Sequence, residues 1–372
     1  MIDKECAMKS IKQGFMAAAG LAAVMVAGAA FAADNNKVPE PLYPVNLLLS
    51  EKSADLVYPS VAGDFLVYDR RKGVNDYSVV QVSARAIQSG GTEIRPTAVG
   101  EAVWYGVAIS DGAVGYVSSR LGPISAWMKQ AHGDGHVAIA NMGTYRGALA
   151  PQHLNASSNG QVWCFDSTFE KTRYNELLNE FGNVNNSELL GQGWRIYDSN
   201  NFRYKMGYAP TKTGNGNKFD PPALFVFERA SSQLTMIPNA YNGAVSPDGH
   251  RIAFVRELNG NYDLWVQGVD GSDLTQLTTD DFGEFEPSWS PDGTKLAFVS
   301  NRDSKGDVRN TSIYVMDMKS YRIERITNAV GASDGGVAWL DAHTLVFHSN
   351  RDPKAPQAKT VSGWNLWQVK IN

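Results

Sequence analysis

The feature that most constrains this 372-residue chain is a tetrapeptide that occurs twice. Ser246-Pro247-Asp248-Gly249 leads into Ile252-Ala253-Phe254-Val255, and 44 residues later Ser290-Pro291-Asp292-Gly293 leads into Leu296-Ala297-Phe298-Val299. Proline presets φ at the first turn position and Asp-Gly completes the reversal, so each copy reads as a tight turn feeding a buried strand. Asp341-Ala342 before Leu345-Val346-Phe347 is a degenerate third copy. Ser110-Asp111-Gly112, Asn159-Gly160 and Gly63-Asp64 mark weaker ones upstream. The clearest unit reads as four short strands: 244–245, 251–256, 263–269 and 274–278, with Asp270-Gly271 at a hairpin. Four strands per 40–50 residues is the period of a propeller blade.

The aromatic anchors of these units are Tyr68, Tyr116, Phe165, Phe254, Phe298 and Phe347. They predict an all-β, six-bladed β-propeller. The 89-residue step from Phe165 to Phe254 leaves a seven-bladed alternative open. Ser167 with Glu170 forms a capping box, Tyr174, Leu177, Leu178 and Phe181 share a helical face, and Gly182 suits a C-cap. A helix does not belong in a blade, so 166–222 reads as an insertion in the third unit. Trp194–Asp198 is the segment that fits an extra blade instead. The last unit lacks a fourth strand, whereas 45–50 reads like one. An N-terminal strand would then close the last blade and remove an exposed edge. The expected domain layout is a propeller over 45–372 preceded by an extension over 33–44.

Residues 1–32 carry a separate message. Lys9 and Lys12 precede an apolar run from Phe15 to Ala30, which ends in Ala30-Phe31-Ala32. Basic, apolar and A-x-A segments in that order describe a cleaved secretory signal peptide. The alternative, a membrane anchor, needs about 20 apolar residues. The expected location is therefore the periplasm, with no membrane span after cleavage. Cys6 leaves with the leader, and Cys164 reads as a small core residue. A net charge of −4 carries no basic excess, which argues against nucleic acid as a partner.

The Ser-Pro-Asp-Gly turn, the Ile/Leu-Ala-Phe strand, Ser300-Asn301-Arg302-Asp303 and Ile313-Tyr314-Val315-Met316-Asp317 together resemble the propeller repeat of TolB-like proteins. The likeness is most specific over 240–327, weaker over 334–372, and only a pattern over 45–165. It implies a six-bladed periplasmic ring without cofactor, working by protein contacts with a Tol-Pal-like envelope partner. TolB carries an α/β domain ahead of its propeller. Only about a dozen residues separate the expected cleavage site from the first strand here, so the family's partner contacts do not carry over.

Candidate binding residues fall in two places. The insertion lies between the second and third strands of its blade, on the face where the channel opens. Trp194, Arg195, Tyr197, Tyr204 and Tyr208 are expected either to stack on a ligand as a lid or to pack against a neighbouring blade. Asn301-Arg302-Asp303 and Asn350-Arg351-Asp352 follow equivalent strands on that same face. Arg302, Asp303, Arg351 and Asp352 would ring the mouth and grip a peptide, sugar or cation, or else serve as turn caps. Other motifs weaken in context. Gly331-Ala332-Ser333-Asp334-Gly335 matches the hydrolase elbow, but a strand rather than a helix follows it. His132 and His136 flank a hairpin without a third ligand, so no metal site is expected. The expected function is non-catalytic binding of a protein or a small channel ligand. The rival is a carbohydrate-active hydrolase or lyase using channel carboxylates under the lid. A third reading is a propeller that once accompanied a peptidase.

Overall fold

A computed structural model describes residues 43–72, 77–83, 97, 103–118, 125–132, 134–140, 151–168, 194–196, 222–258, 261–328, 331–357 and 359–372. The chain is all-β and propeller-like. Strand β1 is Val45–Leu49. A first sheet follows from β2 (Asp55–Ala62), β3 (Phe65–Arg71) and β4 (Tyr77–Ser83), and a second from β5 (Val103–Ala108), β6 (Val114–Ser118), β7 (Ser125–Lys129) and β8 (His136–Ala140). The third contains β9 (Gln152–Ala156), β10 (Val162–Thr168), β11 (Trp194–Ile196), β12 (Pro222–Glu228) and β13 (Gln233–Pro238). The fourth is β14 (Tyr241–Val245), β15 (Arg251–Leu258), β16 (Asn261–Gly268) and β17 (Thr275–Gln276). The fifth is β18 (Glu284–Trp289), β19 (Lys295–Ser300), β20 (Ser312–Asp317) and β21 (Ile323–Arg325). The last holds β22 (Asp334–Asp341), β23 (Thr344–Arg351) and β24 (Thr360–Lys370), with β1 on its outer edge.

The turns that announce each unit work through side-chain oxygens. Ser246 Oγ lies 2.5 Å from Asp248 Oδ1, the same carboxylate accepts His250 N at 3.1 Å, and Arg251 N donates to Ser246 Oγ at 2.9 Å. Ser290 and Asp292 repeat this, and so does the weaker upstream copy at Asn159-Gly160, where Ser157 Oγ meets Asn159 Oδ1 at 2.8 Å. Gly249 and Gly293 take φ of 78° and 67°, where a side chain would strain the reversal. Beyond each turn the anchor aromatic is sealed in: Tyr68 is 2% exposed, and Tyr116, Phe165, Phe254, Phe298 and Phe347 are all 0%. Burying each contributes roughly 1.5–3 kcal/mol.

The first strands of the sheets touch in cyclic order, β2, β5, β9, β14, β18, β22 and back to β2. Tryptophan indoles bolt some of these seams. Trp289 Nε1 donates to Ala244 O and Trp339 Nε1 to Ser288 O, each at 3.0 Å and each from one sheet to the one before. The N-terminal strand does pair with the C-terminal one: β1 runs antiparallel to β24 with Val45 opposite Val369.

Four sequence expectations change. The strand expected over 274–278 is Thr275–Gln276, with Leu277 N still bonded to Leu264 O at 2.8 Å. Ser167 is not a helix N-cap but a buried residue of β10, paired with Ala223 of β12. The rest of the expected helix lies outside the described residues. Trp194–Ile196 is a strand, yet it belongs to the third sheet, hydrogen-bonded in parallel to β13. Arg351 sits inside β23 rather than in the loop after it. Residues 1–42 also lie outside the described residues. Among the described residues, no helix is long and apolar enough to cross a membrane.

Candidate functional site

The innermost strands share an irregularity. Register slips occur between Val57 and Ser60, Trp104 and Val107, Tyr241 and Ala244, Phe285 and Ser288, and Gly335 and Ala338. One residue per inner strand takes the left-handed conformation: Tyr58 (φ 51°), Tyr105 (55°), His153 (46°), Asn242 (54°), Glu286 (52°) and Gly336 (55°). All six line one cavity of about 430 Å³. A bulge of this kind turns a peptide out of its ladder and re-aims the side chain. For the five residues that are not glycine, the conformation costs about 1–2 kcal/mol each. Strained residues of this kind cluster at ligand-binding walls, which makes this cavity the candidate site.

Side chains of neighbouring sheets hold these bulges. Asp69 of β3 accepts Tyr105 N at 2.8 Å and Gly106 N at 2.9 Å. Asp166 of β10 accepts Asn242 N at 2.6 Å, and its Oδ2 also lies 2.8 Å from His153 Nδ1. Glu286 Oε2 accepts Gly336 N at 2.5 Å. His348 of β23 accepts Tyr58 N on Nδ1 at 3.3 Å, which carries the pattern from the last sheet to the first.

The rings form a continuous arc. His153 and Tyr105 have centroids 5.4 Å apart, Tyr105 and Tyr58 5.7 Å, Tyr58 and His348 5.1 Å, and His348 and Trp364 5.1 Å. Asn242, Glu286 and Gly336 make up the other half of the circuit. A second cavity of about 290 Å³, on the face carrying the 301–311 loop, includes Arg71, Val308, Thr311, Ser333, His348 and Trp364. The two cavities share Tyr58 and Glu286, so these residues stand at the narrowing between them.

Burial sets the electrostatics. It raises the Asp69 carboxyl to about 6 against the pull of its two amide donors. Glu286 is raised by burial too, opposed by the Gly336 amide and by His153. Burial pulls His153 down, but the Asp166 charge, their hydrogen bond and Glu286 outweigh it and leave the imidazole raised. His348 goes the other way, lowered by burial and by Arg71 to about 3, so it is a neutral acceptor. Burial, with Glu286 next, pushes the Tyr58 phenol up to about 12.

The expected binding residues are placed elsewhere. Arg302 lies in a short 3-10 turn, 2.9 Å from both Asp280 and Glu284, with its guanidinium 4.7 Å above the Tyr314 ring. Asp303 accepts Tyr314 OH at 2.7 Å and Ser312 Oγ at 2.9 Å. Arg351 is fully buried, bonded through Nε to Asp334 Oδ1 at 2.9 Å and through Nη2 to Oδ2 at 2.6 Å, so it anchors loops instead of meeting a ligand. Asp352 caps the following turn by accepting Lys354 N at 2.8 Å. Of these four only Asp352 caps a turn, the two arginines pair with acidic neighbours, Asp303 accepts side-chain hydroxyls, and none of them lines either cavity. Trp194 and Arg195 belong to β11. Tyr197, Tyr204 and Tyr208 lie outside the described residues. Sequence reasoning missed the channel ring because tyrosine recurs only at Tyr58 and Tyr105, and the other four units carry His, Asn, Glu and Gly there. The single trace was the alignment of Pro59 with Pro287, each one residue past a ring position.

No family model matches the chain. It is 32% identical over 162 residues to the Tol-Pal system protein TolB of Alcanivorax borkumensis, covering 40% of this chain and 35% of that one. It is 31% identical over 157 residues to TolB of Coxiella burnetii, covering 42% and 28%. The matches support a TolB-like β-propeller. The chain spans about a third or less of the length of these relatives. In structure, it superposes on acylaminoacyl peptidase of Pyrococcus horikoshii with a TM-score of 0.51 at 9% identity, covering 88% of this chain and 47% of that one. That likeness speaks to the fold alone.

Proposed function

We propose that this chain is a six-bladed TolB-like propeller of the cell envelope, exported by a signal peptide over 1–32. It binds a partner protein at the channel mouth on the face carrying the 301–311 loop and the 166–222 insertion. Six left-handed ring positions, one in each inner strand, support six blades. The pairing of β11 onto β13 supports treating 166–222 as an insertion in the third blade rather than a seventh.

One observation carries the binding reading: the channel carboxylates are engaged with main-chain amides. Asp69 and Asp166 face bulge amides of the following blade, and Glu286 holds Gly336 N. Glycoside hydrolysis wants two carboxyl groups facing one another across a sugar. Here they act as staples, and what lines the lumen is an aromatic and main-chain wall suited to contact, together with Glu286, which holds Gly336 N through Oε2. The rival enzymatic reading keeps one observation in its favour, the His153–Asp166 pair, which could orient an imidazole as a base.

The test places a photo-crosslinking amino acid at Val308, which lines the second cavity and is 62% exposed. A discrete adduct with an envelope protein is expected in cells. No adduct at Val308, with the protein folded and exported, would sink the proposal. Turnover of oligosaccharides that is lost in His153→Gln would favour the rival.

A further inference from the structure

The narrowing between the two cavities combines three features that seldom meet by chance. Half of the ring in the larger cavity is aromatic, with Tyr58, Tyr105 and His153 in successive inner strands and centroids 5.4–5.7 Å apart, and Tyr58 carries that arc to the narrowing. The facing half presents the Glu286 carboxylate, which lines both cavities. One face of Tyr58 already holds a guanidinium, that of Arg71, whose Cζ lies 5.0 Å from the ring centroid. Aromatic faces carry negative quadrupole charge and attract cations, most strongly when water is excluded.

The charges around the narrowing point the same way. Arg71 lies 4.0 Å from Asp69, so that pair balances. Asp166 and a protonated His153 also balance, and deprotonation of His153 leaves that pair negative. His348, accepting a hydrogen bond from Tyr58 N, is neutral. Asp334, also in the second cavity's lining, is paired with Arg351, so Glu286 and Asp55 set the net sign and the narrowing is negative in either state of His153. A neutral or anionic ligand gains little there. A cation with a slender stem gains both the carboxylate and the rings.

We propose that the narrowing is a seat for a single alkyl-guanidinium or alkyl-ammonium group, held between Glu286 and the Tyr58–Tyr105 faces. Its stem would thread the 290 Å³ cavity from the face of the 301–311 loop. The proposal rests on the partner-binding reading when the group is an arginine or lysine of the partner, and it deepens that reading by naming the side chain the channel selects. The same chemistry also fits a free diamine or guanidine entering from solution.

Titration calorimetry on the whole chain separates these sources. The probes are agmatine, a capped Gly-Gly-Arg-Gly-Gly peptide, and the same peptide with citrulline, the neutral isostere of arginine. The arginine peptide is expected to bind at least tenfold more tightly than the citrulline peptide and to weaken as salt is raised. Glu286→Gln keeps an acceptor for Gly336 N and should lose tenfold or more of that affinity at an unchanged melting temperature. Tyr105→Asn, tolerant of positive φ, should also weaken binding and stands as a second variant if the first does not fold. Tighter binding of the peptide than of agmatine assigns the seat to a protein side chain, and the reverse order to a free cation. Equal affinity for arginine and citrulline peptides would overturn the proposal, as would indifference of a folded Glu286→Gln variant or no saturable binding of either cation at millimolar concentration. Crosslinking at Val308 without cation binding would remove this seat alone. Cation binding without a crosslink would remove the partner reading alone.

Discussion

At Glu284 the chain buries a carboxyl group completely, with Oε1 bonded to Ser300 Oγ at 3.1 Å and Arg302 Nη2 at 2.9 Å while Oε2 has no partner among the described residues. Burial raises its pKa to about 7, with Asp280 adding to the rise and Arg302 opposing it. The native state therefore takes up this proton at a higher pH than the unfolded chain does. Its contribution to stability is most favourable below about 4.5, falls as pH rises toward 7, and is flat above that. Glu284→Gln should be more stable than the parent by about 1–3 kcal/mol at pH 8, with the gap closing toward pH 5. Denaturant melts at the two pH values read this out. A constant gap would mean that Glu284 is ionised in the folded protein throughout. Gly336 is a second test at this scale. At φ 55°, an added Cβ would run into the His348 ring and lie 3.2 Å from Tyr58 Cα. Gly336→Ala should cost about 2–4 kcal/mol and lower the melting temperature, because strain and overlap act together. An unchanged melt would show that the His348 ring can swing away.

Among the elements, β1 contributes most for its size. Its five residues cover the open edge of β24, and Val45, 7% exposed, packs in one core cluster with Phe347, Trp367 and Val369. Val45→Asp puts an unpaired charge into that cluster and should cost at least about 3 kcal/mol. Removal of 33–50 should do more, leaving β24 as an exposed edge prone to self-association. Light scattering and thermal melts of the truncated chain check this. A monomer of parental stability would show that β1 is ornamental. The A–B turns were readable because their chemistry is local: serine, aspartate and glycine within four residues satisfy one another whatever lies around them. The third sheet was harder to read. Whether Trp194–Ile196 starts a new sheet or joins an old one depends on hydrogen bonds to Leu234 and Met236, some 40 residues away. No local pattern encodes that choice.

For the whole molecule, the first and last of the described strands meet in one sheet, so loss of the last sheet and loss of the ring are one event. Tryptophan fluorescence and far-ultraviolet circular dichroism should therefore give superimposable urea transitions in the parent. They should separate once β1 is removed. Separate transitions in the parent would mean that the sheets unfold independently, as in open repeat arrays.

Sequence alone determined the period, the turns, the buried anchor aromatics and the return of the N-terminal strand to the last sheet. Each of these follows from side-chain chemistry repeated at a fixed spacing. It also pointed to Asn-Arg-Asp triplets as binding groups, since repeated polar residues after a strand suit a cap as well as a ligand. Tertiary structure buries Arg351 against Asp334 and engages Arg302 with Asp280 and Glu284, pairings that the spacing of the triplets does not announce. It alone brought Tyr58, Tyr105, His153 and Glu286 to one cavity, from positions up to 228 residues apart (286 − 58). The backbone bulge that aims them repeats in every inner strand, but the residue at its apex is tyrosine in the first two and changes in each of the other four. A ring of equivalent places with unlike residues leaves no period to read in the sequence, and only closure of the circle makes it a site.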